Sequence, residues 1–271
     1  MVEYTLIKGV VTMLQQTINP EMKVVLLDRK DFYNGKEKWL KNLNYDKFEA
    51  HRLQNWALVK GKYYYVKQER VLNEQVGEAL AKKMWLPTSH NILGIKNGYV
   101  VNMSENFKEQ GKLYLNPDQI FANGCYDQLQ LFKKMLPQEN YAKLENDVLK
   151  MYAIDIYMRQ LDRANVNILF EKTKEGYELA PLYDYTSSMA GNYFKTYYNA
   201  LCEMDMNKAS MEKVFETYPR LRVYLDMLSR VDLAKIVDDI CNEYKLINTG
   251  DIKEYYKEEQ EKSVNLIKSI L

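Results

Sequence analysis

The order of β-rich and helical segments is the feature that most constrains how this chain folds. Within residues 1–103, runs of β-branched residues precede two predicted hairpins, which turn at Lys60-Gly61-Lys62 and Lys96-Asn97-Gly98. One amphipathic helix stands between the hairpins, with apolar residues at four-residue steps from Leu72 to Met84. These residues are therefore predicted to form a small β-rich lobe that carries one helix.

Residues 104–271 are predicted to be mostly helical. Helical periodicity covers Asp118–Leu136, Asn140–Leu161 and about 208–271, and a compact hairpin after Asp162 interrupts it. The chain is long enough for two lobes that share a cleft. We therefore predict an α+β fold with a small β-rich N-terminal lobe and a larger, mostly helical C-terminal lobe.

Composition and charge argue against several classes of protein. The formal net charge is +1, which gives no basis for direct nucleic-acid binding. No apolar run approaches the length of a membrane span, and the N-terminus has no signal-peptide pattern, so we expect a cytoplasmic protein without a membrane partner. The two histidines and three cysteines are scattered, which argues against a histidine zinc site, a serine triad and a disulfide framework.

The first chemical signal lies between a predicted helix and a predicted apolar strand, in the sequence Asp162-Arg163-Ala164-Asn165-Val166-Asn167. Phosphoryl transfer needs a carboxylate beside the attacking hydroxyl and an oxygen ligand for magnesium nearby. Asp162 and Asn167 can supply both groups from one loop, at the interval found in protein-kinase catalytic loops. The alternative is a helix end followed by polar turn residues.

A second carboxylate follows the predicted hairpin. Asp184 ends the strand-like segment that begins at Tyr177, and this segment is predicted to return toward the loop that holds Asn167. A kinase needs its second metal-binding side chain at this place. The alternative is an aspartate that makes a turn or caps a helix before Thr186.

The predicted small lobe offers a lysine for nucleotide phosphates. Lys67 ends a predicted strand, and the helix after it carries Glu74 and Glu78. A strand lysine can reach the phosphates, and a glutamate on the adjacent helix can hold that lysine by an ion pair. The two glutamates lie one helical turn apart, so the sequence does not choose between them, although Glu74 is preferred. The alternative is an ordinary solvated helix face.

These segments resemble the HipA-like serine/threonine kinase family and, more distantly, the phosphatidylinositol-kinase-like fold. The resemblance covers about residues 49–189 and is most specific in the stretches LDRANVNILF and YELAPLYDYTSSM. The chain is shorter than the full-length toxin kinases of that family and in this respect resembles its compact, CtkA-type bacterial members. The resemblance implies a bilobal protein-kinase-like fold with the nucleotide cleft between the lobes.

The resemblance also implies a set of roles. ATP and magnesium are the expected cofactors, a protein hydroxyl is the expected acceptor, and a small helix-turn-helix antitoxin is a candidate partner. Adenine is expected near the predicted connector at Val101-Asn102-Met103. The implied site residues are Asp162 as the catalytic residue, Asn167 and Asp184 at the metal, and Lys67 and Glu74 at the phosphates.

The sequence departs from the family's pattern at three places. Ala164 stands where the family often has histidine, and Val166 stands where a basic residue is common. The stretch that matches the phosphate loop has neither serine nor glycine, so close contact of its backbone with phosphates is not expected. His51 and Arg52 are therefore candidate phosphate-binding side chains, or else surface-loop residues. A nucleotide-binding pseudokinase and a lipid or small-molecule kinase remain alternatives to a protein kinase.

Two tyrosine pairs, Tyr197-Tyr198 and Tyr255-Tyr256, offer a further choice. We predict that their rings cover apolar core while their hydroxyl groups face water, as amphipathic aromatic side chains commonly do. The alternative is that they contact substrate or accept phosphate. The second pair begins a charged amphipathic helix that is predicted to pack on the large lobe.

Overall fold

A computed structural model of the chain describes residues 4–7, 10–14, 22–34, 55–121, 128–163, 165–189, 196–198 and 203–271. Within these residues the chain is mixed α+β, as the sequence predicted, with most strands in the N-terminal part and most helices in the C-terminal part. One large hydrophobic core extends from Val71 and Val100 through the central helix to Ile270. The division of the chain at residue 103 stays a prediction.

A five-stranded sheet forms the N-terminal part. Its strands are β3 (Val25–Leu26), β4 (Trp56–Val59), β5 (Lys62–Lys67), β6 (Asn91–Lys96) and β7 (Tyr99–Glu105). The strand order is β3-β6-β7-β5-β4; β3 runs parallel to β6, and the other neighbours are antiparallel. A separate antiparallel pair precedes the sheet in the chain and consists of β1 (Tyr4–Ile7) and β2 (Val10–Leu14).

Both predicted hairpins form where their turn residues favour them. The β4–β5 turn has Lys60 at φ 48° and Gly61 at φ 79°, and the β6–β7 turn has Asn97 at φ 53° and Gly98 at φ 81°. Two successive positive φ angles characterise the two-residue turn that matches the twist of hairpin strands. Glycine, and to a lesser degree asparagine, adopts these angles at small steric cost, so Gly61 and Asn97-Gly98 suit their turns. Lys60 adopts its positive φ without that advantage.

Helix α1 (Val71–Lys83) packs on one face of the sheet, and its predicted apolar residues are buried. Cross-strand neighbours point to the same face, and successive residues of one strand point to opposite faces. Lys67 pairs across the sheet with Asn102, and Asn102 accepts a hydrogen bond from Gln75 of α1 at 3.0 Å. Lys67 therefore lies on the helix-covered face, whereas Val66 belongs to a smaller cluster on the other face.

The region after the sheet contains short elements, namely β8 (Leu113–Leu115), α2 (Pro117–Ile120) and α3 (Gln128–Met135). The prediction of one helix over Asp118–Leu136 is wrong, because α2 ends at Ile120 and Phe121 is extended, with φ −118° and ψ 141°. Asn116 caps α2 and accepts a hydrogen bond from the backbone N–H of Gln119 at 3.0 Å. Residues 117–120 therefore form a short helix of their own, capped by Asn116 and separate from α3.

The central helix α4 (Gln138–Tyr157) leads into the predicted catalytic loop. It begins directly after Pro137, the residue at which the sequence predicted a break, and its last two turns are buried. The predicted bounds, Asn140–Leu161, are wrong at both ends, because the helix starts at Gln138 and ends at Tyr157. A 3-10 turn at Asn165–Asn167 follows, and then the predicted hairpin of β9 (Phe170–Thr173) and β10 (Gly176–Leu179). Strand β8 extends this hairpin to a three-stranded sheet with the order β10-β9-β8.

The rest of the described chain is mostly helical. Strands β11 (Thr196–Tyr198) and β12 (Glu203–Asp205) form an antiparallel pair. The helices are α5 (Lys208–Thr217), α6 (Pro219–Ser229), α7 (Leu233–Tyr244) and α8 (Gly250–Ile270). Helices α6 and α8 both contact α4, and α7 contacts α1. In the part of the chain that the structure describes, no helix has both the length and the apolar character needed to cross a membrane.

Candidate active site

Four side chains from three segments meet at the end of β5. Lys67 Nζ lies 2.7 Å from Oε1 of Glu74 and 2.7 Å from Oδ1 of Asp184. The hydroxyl of Thr186 lies 3.1 Å from Lys67 Nζ and donates to Glu74 Oε1 at 2.8 Å. One lysine therefore connects strand β5, helix α1 and the segment after β10 in a single polar cluster.

The start of α1 directs a glutamate toward this lysine. Arg70, with a left-handed φ of 45°, precedes the helix, so Glu74 falls in its first turn. The carboxylate of Glu74 is fully buried, and a buried carboxylate needs a charged or hydrogen-bonding partner. Glu78, one turn later, instead accepts from the backbone N–H of Asn91 at 2.7 Å. Of the two glutamates that the sequence left open, the structure brings Glu74 to Lys67.

Asp184 lies in an irregular segment and not at the end of a strand, where the sequence suggested it. Strand β10 ends at Leu179, and the chain then runs beside the residues that follow α1, where the N–H of Leu182 donates to the Pro87 carbonyl at 2.9 Å. Asp184 has a φ of 60°, which is uncommon for a residue with a side chain. Its carbonyl accepts a hydrogen bond from the Gln160 side chain at 2.7 Å, which anchors this conformation to the end of α4.

The cluster shifts the pKa of both partners of the ion pair in the cleft. Burial lowers the pKa of the Lys67 ammonium, but the carboxylates of Glu74 and Asp184 outweigh burial and raise that pKa above its ordinary value. Burial raises the pKa of the Asp184 carboxyl, but Lys67 and then Arg163 outweigh burial and hold that pKa below its ordinary value. Both groups are therefore charged at neutral pH.

Asp162 and Asn167 lie at the two ends of the short loop after α4. The side-chain amide of Asn167 donates to the Asp162 carbonyl at 2.9 Å and so closes the loop. Asn167 is buried, whereas Asp162 is exposed. Asp162 lines the same cleft as Lys67 and Asp184, and the cleft has a volume of about 360 Å³. Small-molecule sites commonly have volumes of roughly 300–1,000 Å³.

The chemistry of two of these side chains suits magnesium. Among the residues that the structure describes, no group of three or more His, Cys, Asp or Glu side chains could hold a metal ion. Magnesium in phosphoryl-transfer sites is held by one or two protein side chains together with phosphate oxygens. Asp184 offers an ionised carboxylate, and Asn167 is of the amide type that commonly accompanies it. These two residues therefore fit the role of magnesium ligands.

Sequence reasoning overlooked Arg163, which directly follows Asp162. The Arg163 side chain is fully buried and forms an ion pair with Asp155 of α4, with 2.8 Å between Nη2 and Oδ1. Its Nη1 donates to the carbonyl of Tyr183 at 2.6 Å. Two signals in the sequence could have revealed the pair. Asp155 is a lone charge in the apolar stretch MYAIDIYM, and Arg163 is a basic residue beside the predicted catalytic acid.

Other predicted site residues are not brought to the cluster. Val101 and Met103 lie within β7, are fully buried, and share the sheet face opposite to Lys67. Strand β7 continues to Glu105, so residues 101–103 belong to the sheet and are not a connector, as the sequence had suggested. His51, Arg52 and Ala164 are outside the described residues.

The fold has counterparts among solved structures, although no protein-family model and no curated protein sequence matches the chain. One counterpart is the Shewanella oneidensis MR-1 complex of the toxin–antitoxin proteins HipA and HipB with operator DNA. The match has a TM-score of 0.58 and 14% identity, and covers 80% of this chain and 62% of that chain. Comparison with the Helicobacter pylori proinflammatory kinase CtkA gives a TM-score of 0.44 and 14% identity, and covers 79% of this chain and 88% of that chain.

The comparison with the HipA complex concerns the fold alone, because the identity is 14%. This chain also spans only 62% of the length of the chain that it matches there. A TM-score of 0.58 over 80% of this chain nevertheless shows a common fold. The chain therefore has the fold of the HipA-like kinases, and the resemblance inferred from its sequence is confirmed at the level of the fold.

Proposed function

We propose that this chain is an ATP- and magnesium-dependent protein kinase of the HipA-like type, which transfers the γ-phosphate to a serine or threonine hydroxyl. The observation that carries the proposal is the meeting of Lys67, Glu74 and Asp184 at 2.7 Å distances in a cleft that Asp162 also lines. Apolar packing could stabilise a fold without placing a lysine and two acids at one point. Phosphoryl transfer requires such a set.

Lys67 and Asp184 are assigned to the nucleotide side of the site. An ammonium group has three donors, so Lys67 can keep its bond to Glu74 while it exchanges Asp184 for a phosphate oxygen. Asp184, once released, and Asn167 would then hold magnesium, which when bound neutralises charge on the phosphates.

Asp162 is assigned to the acceptor side of the site. It is exposed in the cleft, and Lys67 is paired with other carboxylates. A carboxylate in this position can orient the hydroxyl of an incoming substrate and accept its proton. The backbone of the same residue is fixed by Asn167, so the acceptor and metal sides of the loop are held together.

Two alternatives use the same cleft. A pseudokinase that binds nucleotide without transfer is favoured by one observation, the absence of glycine from residues 50–53, where backbone contact with phosphates is usual in the family. A lipid or small-molecule kinase would use the same residues with a different acceptor.

A small helix-turn-helix antitoxin is proposed as a partner, because the matched HipA structure contains HipB and operator DNA. We expect such a protein to be encoded beside this one and to co-purify with it after co-expression. Failure of every neighbouring small DNA-binding protein to co-purify would contradict this proposal.

Intact-mass spectrometry after incubation with ATP and magnesium tests the proposed activity. We expect a gain of phosphate on the chain itself or on proteins of a cell lysate, at serine or threonine. Asp162→Ala should lower the transfer rate about 10²- to 10⁴-fold, because a general base is lost. It should leave ATP binding largely intact, because Asp162 is assigned to the acceptor. The control is Asp239→Ala, which removes an exposed carboxylate on α7 and should keep the wild-type rate.

Each outcome of this experiment decides between the candidates. Magnesium-dependent ATP binding without transfer by the wild type would replace the kinase with the pseudokinase. Undiminished transfer by Asp162→Ala would show that another carboxylate serves the acceptor. Phosphate on lipid or small-molecule acceptors, with none on protein, would favour the third candidate.

A further inference from the structure

An ion pair between Arg163 and Asp155 lies out of contact with solvent. Both the Arg163 and Asp155 side chains have 0% exposure. The pairing is two-pronged: Arg163 Nη2 donates to Asp155 Oδ1 at 2.8 Å, and Nε donates to Oδ2 at 3.0 Å. Arg163 belongs to the catalytic loop, whereas Asp155 belongs to the buried end of α4. The pair therefore ties the loop to the helix that precedes it.

The same guanidinium holds the backbone of both proposed metal-binding segments. Arg163 Nη1 donates to the carbonyl of Asn167 at 3.3 Å and to the carbonyl of Tyr183 at 2.6 Å. Tyr183 directly precedes Asp184. One planar group thus spans the two chain segments that carry Asn167 and Asp184. Because an arginine fork has fixed geometry, it can set the spacing of the acceptors that it bridges.

A tyrosine from a third segment completes this arrangement. The hydroxyl of Tyr197 in β11 donates to Asp155 Oδ2 at 2.7 Å, and its ring is fully buried. This corrects the prediction that the Tyr197 hydroxyl faces water. Strand β11 follows the Asp184 segment in the chain and pairs with β12. The carboxylate that orients Arg163 is therefore itself oriented by the region that comes after the metal-binding segment.

Stability alone does not explain such a pair, since well-packed apolar side chains of similar volume often stabilise a core at least as well as a buried ion pair. We propose that Arg163, oriented by Asp155 and Tyr197, is a positioning residue that fixes the separation of Asn167 and Asp184 and so sets how strongly magnesium enhances nucleotide binding. This inference rests on the proposed function in taking ATP as the nucleotide and Asn167 and Asp184 as the magnesium ligands.

The test is the affinity for ATP measured with and without magnesium, by titration calorimetry. Tyr197→Phe removes only the hydroxyl that orients Asp155, and Arg163→Lys keeps the charge but removes the fork. We expect each variant to lose roughly 10-fold of the enhancement by magnesium, as is usual when an outer-shell contact to a metal ligand is lost. Affinity for ATP without magnesium should stay at the wild-type value.

The matched control is Tyr157→Phe. Tyr157 lies on the same helix as Asp155 and is fully buried, and its hydroxyl has no hydrogen-bond partner among the described residues. This variant should keep the wild-type enhancement. The inference would be overturned if magnesium enhanced the ATP affinity of Tyr197→Phe as much as that of the wild type. It would also be overturned if the variant lost ATP affinity equally with and without magnesium.

A different result would reject the proposed kinase activity. A wild-type protein whose ATP affinity rises with magnesium, but which never transfers phosphate, would reject the kinase while the Tyr197→Phe comparison still decides the role of Arg163. A wild-type protein whose ATP affinity is unchanged by magnesium would overturn the inference, because no enhancement would exist for Arg163 to set.

Discussion

Two ion pairs of this protein differ in exposure and in hydrogen-bond geometry. Lys67 and Asp184 line the cleft, with 15% and 17% of their side chains exposed, and Lys67 also contacts Glu74. The side chains of Arg163 and Asp155 are 0% exposed, and three hydrogen bonds from Nε and Nη2 of Arg163 join them. Both pairs combine a basic residue with an aspartate, but only the first can be reached by a ligand.

The difference reflects the distinct properties of lysine and arginine as ion-pair partners. Lysine is a point charge on a flexible stem, and its partners can be exchanged at small geometric cost. Arginine is a rigid fork whose hydrogen bonds depend on orientation, so it suits contacts that do not change. A site that must admit a charged ligand and still hold its shape needs both kinds of contact. Here Lys67 lies in the cleft, where its partners can change, and the buried Arg163–Asp155 pair makes the contacts that stay fixed.

The largest predicted effect is on the free energy of unfolding and comes from the buried Arg163–Asp155 pair. Asp155→Ala should leave the Arg163 charge buried and without its carboxylate, and should lower the free energy of unfolding by about 3–5 kcal/mol. Urea denaturation followed by circular dichroism measures this change. Asp226→Ala is the control, because it breaks an exposed aspartate–arginine pair, and such pairs contribute about 0–1 kcal/mol. Equal changes in the free energy of unfolding would show that the buried pair contributes no more than an exposed one.

The cleft pair should respond to pH. The pKa of Asp184 is lowered in the folded protein, so its contribution to stability is present above the unfolded pKa and is lost as the pH falls through the folded pKa. The free energy of unfolding of the wild type should therefore decline in acid, below about pH 5. Asp184→Asn should show a shallower decline, because residue 184 no longer titrates. Urea denaturation of both proteins from pH 7 downward measures the two slopes, and parallel slopes would contradict the prediction.

Local structure was predictable because short-range chemistry determines it. The turns follow from Gly61 and Asn97-Gly98, residues that tolerate positive φ, and α1 follows from its apolar periodicity. Where capping competed with periodicity the prediction failed, since Asn116 begins a separate short helix before α3. Turns and helical periodicity, which depend on neighbouring residues, were thus predicted more reliably than the boundaries between elements.

Contacts between distant segments could not be predicted in the same way. Nothing in the sequence pairs Asp155 with Tyr197, because that contact depends on how α4 and β11 are placed by the rest of the fold. Gly77 gave an unused signal: glycine inside a helix costs about 1 kcal/mol relative to alanine, so it suggests close packing. In the structure the ring of Tyr185, next to Asp184, fills the space that a Cβ of residue 77 would need.

The smallest predicted effect compares the two glutamates of α1. Glu78 contacts Lys82, which is exposed, and accepts from the backbone N–H of Asn91, a bond that glutamine can keep. Glu78→Gln should therefore change the free energy of unfolding by about 0–1 kcal/mol and leave ATP binding at the wild-type level.

Glu74→Gln is the matched substitution, one helical turn away. Glu74 is fully buried against Lys67, so the loss of its charge removes a partner of the lysine that is proposed to bind the phosphates. We expect a smaller rise in melting temperature on addition of ATP and magnesium for Glu74→Gln than for Glu78→Gln, because a ligand that binds more weakly stabilises the native state less at the same concentration. If the two variants gave the same rise, the cleft lysine would not depend on Glu74, and the division of labour between the exchangeable and the fixed ion pair would lose its support.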